Sequence, residues 1–448
     1  MKNNGKRLIC IAVVIAAFCT LACNIPAQQA EVPDTVNQVT ESPKQQTEDA
    51  PVEDVVATLV PTPQITAEPT PTPEPTPTPW PTPVIVTIGA IGDIMIPSVI
   101  VDDVKVEKDT YDFSTLFLPM RDLFESVDLM CGNLEVPLAG PEGGYSGSKD
   151  AKTGLYSFNA PDSILDTLKA YGVDMLTTAN NHSFDRGIKG LYRTIEVIRA
   201  AGFYQTGTYL DEEDRMTPCI VEVNGVKIGV VAATRLMNVT DIPREEAFPV
   251  FGYYMSKGDK LSQECKDSIA RTREAGAEFV ILFAHWDYEN DDPTAASTKM
   301  LARQAIAAGA DCIIGSHPHR IKGAEYITVD RKDGPYTGLV LYSLGNFSAN
   351  SAFNHMVGLF AKITLEKDFE TGKVKLIDAG VLPTFTIRRA GDKQRFMVLP
   401  VYADPSMIQG LSSPLTDSEI KTLEKARNLA FTRLGKVEGL RILDESAE

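Results

Sequence analysis

The chain has 448 residues, 43% of them hydrophobic, with 60 acidic against 43 basic side chains and a net charge of −17. That balance argues against a nucleic-acid binder working through a basic face. Seven cysteines without C-x-x-C spacing give no disulfide framework.

At the amino end, Lys2 and Arg7 precede an apolar run over residues 8–22, the length of a signal peptide and short for a spanning helix. The run ends in Thr20-Leu21-Ala22-Cys23, which resembles a bacterial lipobox with Thr20 in place of the usual leucine. The resemblance implies cleavage of residues 1–22 and a diacylglycerol on Cys23. Two acyl chains suffice for stable anchoring, so the expected location is extracytoplasmic, on the bacterial membrane. Residues 23–83 follow as a Pro/Thr-rich tract with 14 of the 29 prolines, nine acidic side chains and Lys44 as its one base. Its composition cannot bury enough apolar surface to fold, so a disordered, extended stalk is expected.

Folded sequence is expected from Val84. A strand over 84–91 runs into Gly92-Asp93, and a helix-compatible stretch over 116–126 precedes a second strand, 127–131, which ends in Gly132-Asn133-Leu134-Glu135. Asn133 and Glu135 are two apart, so in extended chain they leave one face together. The glycine-rich stretch 140–154 reads as a surface loop. A buried strand over 173–176 then delivers Asn180-Asn181-His182-Ser183-Phe184-Asp185, and Ile188, Leu191, Ile195 and Ile198 space an amphipathic helix over 188–201. Gly225 marks a hairpin between 219–223 and 227–233. The strand 279–284 delivers His285-Trp286-Asp287-Tyr288-Glu289, a helix over 294–308 stops at Gly309, and 311–315 delivers Ser316-His317-Pro318-His319. A last strand, 339–344, delivers Gly345-Asn346. Beyond it, 357–365, 373–379 and 385–389 read as antiparallel strands, and Thr416 with Glu419 forms a capping box for a helix to Leu434.

Four of the five histidines, His182, His285, His317 and His319, fall at strand ends, beside Asp93, Glu135 and Asn181. Open α/β sheets bind ligands at the carboxyl ends of their strands. Pro318 is expected to hold the backbone extended, so that His317 and His319 point at one locus. Oxygen and imidazole donors without thiolate suit a divalent Mn, Fe or Zn.

The elements Gly92-Asp93, Gly132-Asn133-Leu134-Glu135, Ala179-Asn180-Asn181-His182 with Asp185 and Gly187, His285-Trp286, Gly315-Ser316-His317-Pro318-His319 and Tyr342-Ser343-Leu344-Gly345-Asn346-Phe347 resemble the CapA family of capsule and poly-γ-glutamate synthesis proteins. That family in turn is similar to calcineurin-like metallophosphoesterases. The resemblance implies a four-layered α-β-β-α sandwich over residues 84–355, with a β-rich part and terminal helix over 356–448. It makes Asn181, His285 and His317 ligands of one metal and Asp93 and His319 of another, with Glu135 bridging. His182 becomes the general acid, oriented by Asp185, and Asn133, Asn180, Glu289 and Asn346 become supporting or substrate-contacting groups. Met95 stands where the superfamily has a histidine, Ser183 where it has an acid, and Asp287 where CapA-like chains have glycine.

Two functions follow. One is a metal-dependent hydrolase acting on a phosphoester or γ-glutamyl polymer, with Arg186, Arg235 and Arg320 supplying positive charge. The other is a tethered assembly or export factor that binds an anionic polymer without turnover, beside a membrane-bound synthase.

Overall fold

The computed structural model describes residues 83–149, 154–238, 255–289, 293–391 and 393–443. Residues 1–82, with the expected signal peptide, Cys23 and nearly all of the proline-rich tract, lie outside the described residues.

Leaving aside strands of two or three residues at 105–111 and 256–261, the chain opens with β1 (Val84–Ile94), β2 (Leu129–Leu134) and the hairpin of β3 (Ser146–Lys149) and β4 (Tyr156–Asn159). Helix α1 (Ser163–Ala170), β5 (Met175–Thr177), α2 (Gly187–Ala200) and β6 (Tyr204–Thr206) follow. Next come β7 (Cys219–Val223), β8 (Val226–Thr234), α3 (Gln263–Glu274), β9 (Phe279–His285), α4 (Ala296–Ala308) and β10 (Cys312–Ser316). The remainder holds β11 (Ala324–Arg331), β12 (Gly334–Leu341), β13 (Asn346–Ser348), β14 (Val357–Lys367), β15 (Val374–Arg388), β16 (Phe396–Pro400), α5 (Asp417–Leu434) and β17 (Leu440–Ile442).

These strands build two large sheets. The first has nine strands in the order β16-β15-β14-β1-β2-β5-β6, with β13 added to the end of β1 and β17 to β15. The second has six, in the order β11-β12-β10-β9-β8-β7. Their parallel centres, β1-β2-β5-β6 and β8-β9-β10-β12, aim several carboxyl ends at one region.

Strand periodicity sets the layers. On β8, Ile228, Val230 and Ala232 join the core shared with β1 residues Val86, Ile88 and Ala90, while Val231 and Ala233 join a second core. Phe279, Ile281 and Phe283 of β9 divide from Val280, Leu282 and Ala284 in the same way. The first set fills the space between the sheets. The second packs beneath α3 and α4 through Ile269, Leu301 and Ala305. On the far side of the first sheet, Ile91, Met130 and Leu176 meet Ile164, Leu168 and Ile198 of α1 and α2. The order is therefore helix, sheet, sheet, helix, the four-layered sandwich expected. Each fully buried aliphatic side chain contributes about 1.5–3 kcal/mol, and the paired sheets bury them on both faces. Helix α5 lays Leu423, Ala426, Ala430 and Leu434 on the inter-sheet core.

Several local readings change. Pro119 opens a 3-10 turn, so the stretch expected as one helix breaks into Ser114–Phe117, Leu118–Met120 and Arg121–Glu125. The glycine-rich stretch is no plain loop: it includes β3, paired with β4 from Ser146↔Asn159 to Lys149↔Tyr156. The segments 373–379 and 385–389 fall largely within one strand, β15, which pairs with β14 from Val374 to Phe385. Asp93 lies inside β1, beside a register shift at Gly92. A Cβ at Gly92 would collide with the carbonyl oxygen of Gly345, which accepts the Asp93 N–H at 3.0 Å. The capping box of α5 forms as expected, with Thr416 and Glu419 bonded reciprocally. Cys131 and Cys312 are buried free thiols within strands. Among the described residues no helix is long and apolar enough to cross a membrane.

Candidate metal centre

Both sheets deliver side chains to one buried locus. Asp93 comes from β1, Asn133 and Glu135 from the end of β2, and Asn180, Asn181, His182 and Asp185 from the turn after β5. The second sheet supplies His285 at the tip of β9 and His317 and His319 beyond β10. Asn346 reaches the locus through β13, which pairs with β1 at Asp93↔Asn346.

Glu135 sits at the centre. It is fully buried, and among the described residues neither carboxylate oxygen meets a hydrogen-bond partner. Its Oε1 lies 3.4 Å from His285 Nε2 and 3.9 Å from His319 Nε2. Burial, and then the charge of Asp93, push its carboxyl well above the usual range. One donor atom each from Glu135, His285 and His317 fall within 4.8 Å of one another, as do donors from Asp93, Glu135 and His319. A third such group joins Glu289, which is exposed, to His317 and His319.

The surrounding contacts orient these donors. Asn181 Oδ1 lies 2.8 Å from His285 Nε2, and Ser316 Oγ lies 2.9 Å from His285 Nδ1. Asn133 Nδ2 donates to Asp93 Oδ1 at 2.7 Å, and the His317 backbone N–H donates to Asp93 Oδ2 at 3.1 Å. Asn346 Oδ1 meets His319 Nδ1 at 2.8 Å. Asn180 Nδ2 donates to the Leu134 carbonyl at 2.9 Å and thereby ties the two turns together. Burial, and then the neighbouring histidines, hold His285 and His317 well below the usual imidazole value, so both offer lone pairs. Burial lowers His319 as well, but the hydrogen bond and charge of Asp93 outweigh it and raise that imidazole.

A buried carboxylate without a hydrogen bond, beside a buried His317 Nδ1 also without one, is costly unless a cation sits between them. The residues therefore fit a divalent ion. All donors are oxygen or imidazole nitrogen, a set that suits Mn, Fe or Zn.

His182 stands beside this cluster. Its Nδ1 is 2.7 Å from Asp185 Oδ2, with both side chains almost wholly buried. Asp185 Oδ2 also accepts the Phe158 N–H at 2.8 Å, and Phe158 meets the His182 ring edge-on at 4.6 Å between centroids. Asp185 is not a helix cap; Arg186 holds that place in α2. Ser183 bonds the carbonyl of Thr178 at 2.7 Å and braces the turn.

Asn238 escaped the sequence reading. Its Oδ1 accepts from Asn181 Nδ2 at 3.2 Å, and its Nδ2 lies 3.3 Å from His182 Nε2. It follows β8 by four residues without any strand-end pattern of its own. His355, the one histidine left outside the expected cluster, also borders the site. It lines an open cleft of about 330 Å³ together with Met95, Tyr156, Phe158, His182 and His319.

The structure revises two expectations. Residues His317 and His319 are not extended: their φ angles are 93° and 55°. The histidines converge through two left-handed residues, a strained backbone of the kind found at functional sites. Asp287 has φ 70°, a left-handed conformation that glycine adopts without strain, and among the described residues its buried Oδ1 meets no partner. The three arginines do not line the cleft. Arg186 is pinned to the Phe158 carbonyl at 2.8 Å, Arg235 lies over Tyr288, and Arg320 donates to His355 Nε2 at 2.9 Å.

A four-layered sandwich with oxygen and imidazole donors gathered at its strand ends defines a layered α/β protein with a candidate metal centre. Within that class the chain belongs to the bacterial capsule synthesis protein PGA_cap family, whose model matches residues 87–351. It is 26% identical over 261 residues to the capsule biosynthesis protein CapA of Bacillus anthracis, a match covering 58% of this chain and 59% of that one. It is 27% identical over 264 residues to the PGA biosynthesis protein CapA of Bacillus subtilis strain 168, covering 57% and 61% respectively. The chain thus spans less than two thirds of these relatives' length. Among solved structures, a putative 5'-nucleotidase from Staphylococcus aureus in complex with alpha-ketoglutarate aligns with a TM-score of 0.39 at 13% identity, over 77% of this chain and 58% of that one.

Proposed function

We propose that this chain is a membrane-tethered hydrolase of the cell envelope whose metal centre acts on an anionic capsule-type polymer or a phosphoester related to its synthesis. The observation that carries the reading is the bare Glu135 carboxylate between His285 and His319, next to a second, hydrogen-bonded His182–Asp185 pair that opens on the cleft. Asp93, Glu135, Asn181, His285, His317 and His319 would hold one or two divalent ions. Such an ion supplies Lewis acidity, polarising the bond to be cleaved and offsetting negative charge as it develops.

The protein's own groups do the rest. Asp185 fixes His182 through Nδ1, and Nε2, approached by Asn238 Nδ2 at 3.3 Å, would deliver a proton to the leaving group once substrate displaces that amide. The Phe158 N–H holds Asp185, and the Phe158 ring shields one edge of the imidazole from water. Asn181 and Asn238 keep their amides aligned with each other, so the Oδ1 of Asn181 faces His285. Asn133 bridges Asp93 and His285, fixing the carboxylate in one rotamer.

A reading without turnover rests on Met95, which lines the cleft where similar phosphoesterases have a histidine. Assays of the metal-loaded full chain on phosphomonoesters, phosphodiesters and γ-glutamyl polymer separate the two. Turnover that depends on His182 supports the hydrolase; none on any substrate, with polymer retained, supports the binding factor. The tether and the extracytoplasmic location rest on Thr20-Leu21-Ala22-Cys23. Cys23→Ala is expected to leave an unprocessed, unacylated precursor, and normal processing of that variant would contradict the anchor. A membrane-bound polymer synthase is the partner such a protein would serve, testable by co-purification from membranes.

A further inference from the structure

We propose that the mouth of the cleft is a subsite for the leaving group, built by Phe158, Tyr156 and Lys149 and suited to a ring that carries an anionic substituent. The proposal rests on His182 facing the leaving group, as argued above.

The β3–β4 hairpin places these three residues. Tyr156 and Phe158 are two apart on β4, so they share a face, and their rings lie 5.8 Å apart at an interplanar angle of 14°. Lys149 is the cross-strand partner of Tyr156, and its Nζ sits 5.3 Å from the centre of that ring. The track therefore starts at His182, which Phe158 meets at 4.6 Å, and runs outward over Tyr156 to an ammonium group. Its inner end is fixed by two bonds to the proton-transfer turn: the Phe158 N–H to Asp185 and the Phe158 carbonyl to Arg186, both 2.8 Å. Phe158 is buried at the inner end, whereas Tyr156 is 48% exposed at the mouth.

Charge gives the track a direction. Among the described residues lining the cleft, Lys149 is the one lysine or arginine, and Glu289 is the one acid. Glu289 shares a donor group with His317 and His319, at the metal end. A ligand anchored at the metals would thus meet aromatic faces and then a positive charge. Rings stack on aromatic side chains, and an anion is favoured beside an ammonium group. If the pair served only the hairpin, Lys149 and Tyr156 would be no more than a stabilising cross-strand contact.

The test compares methylphosphonate, phenylphosphonate and 4-carboxyphenylphosphonate by calorimetry on the metal-loaded full chain. The wild type should prefer the carboxylated ring. Lys149→Met should remove that preference, about five-fold, and Lys149→Arg should restore it. Tyr156→Ala should weaken both ring compounds and leave methylphosphonate unchanged. A preference that survives Lys149→Met, or equal losses on all three probes, would overturn the subsite. Failure of the metal centre itself shows separately, as no phosphonate binding by the wild type. The subsite is then read with 4-hydroxybenzoate, by saturation-transfer NMR on the metal-free full chain. Weaker binding to Lys149→Met and Tyr156→Ala supports it, and equal binding or none overturns it.

Discussion

The Oε1 of Glu135 lies 3.4 Å from the Nε2 of His285, yet among the described residues no hydrogen bond satisfies either oxygen of that buried carboxylate. A charge in this position needs a cation, and without one its carboxyl is pushed up by burial and by Asp93. Between the unfolded carboxylate value, near 4.3, and its raised folded value, the native state holds the extra proton. Stability of the metal-free protein therefore falls as pH rises through that window. Glu135→Gln should flatten this slope and raise metal-free stability at neutral pH by about 1–3 kcal/mol. The same variant should bind metal more weakly. Chemical denaturation with and without chelator checks both. A variant destabilised in chelator, with the slope unchanged, would contradict the account.

The His182–Asp185 pair predicts a selective loss. His182→Asn should retain its metal while turnover of an ester with a poor leaving group falls about 10²–10⁴-fold. An activated ester should lose much less, because its leaving group needs no proton. Asp185→Asn should show a smaller version of the same contrast. Equal losses on both esters would remove the acid role.

Asn238 yields a prediction that only the geometry offers. Its Oδ1 holds Asn181 Nδ2 at 3.2 Å, which keeps the other end of Asn181 toward His285. Asn238→Ala should lower metal affinity about 10–100-fold, the usual effect of losing a group that orients a ligand. Unchanged affinity by competitive chelation would show that Asn181 needs no such support.

Much of this was legible in the chain. Strand-end polar residues pointed to the cluster of candidate donors, because a parallel sheet delivers its carboxyl ends to one edge. The inward spacing of Asn133 and Glu135 was readable from strand periodicity alone. What could not be read was the backbone at His317 and His319. Pro318 suggested extended chain, but the His317 N–H turns to Asp93 Oδ2, and that bond accompanies the left-handed conformation. Asn238 and His355 were silent because their partners are far away in sequence: Asn181 and His182 for one, Arg320 for the other. Pattern reading stops where a contact depends on two sheets facing each other.

His355 offers a pH test at the rim of the site, its ring 6.4 Å from that of His319. Burial, and then Arg320, lower its value to about 4. Since the unfolded imidazole titrates near 6.5, the unfolded chain binds the extra proton between those values. Its contribution is thus complete above about 6.5 and is lost as pH falls toward 4. His355→Gln should remove this part of the acid destabilisation, measured by thermal melts across that range. An unaltered profile would mean that His355 titrates normally.

The donors around Glu135 are expected to hold metal, which elemental analysis of the purified full chain checks. Wild-type protein should carry one or two equivalents of Mn, Fe or Zn, and its melting temperature should fall on chelation, since saturation at 100 times Kd is worth about 2.7 kcal/mol. His317→Ala should lose both the metal and the shift. A wild-type chain that takes up no divalent ion after reconstitution, or a His317→Ala variant with the full complement, would contradict the metal centre.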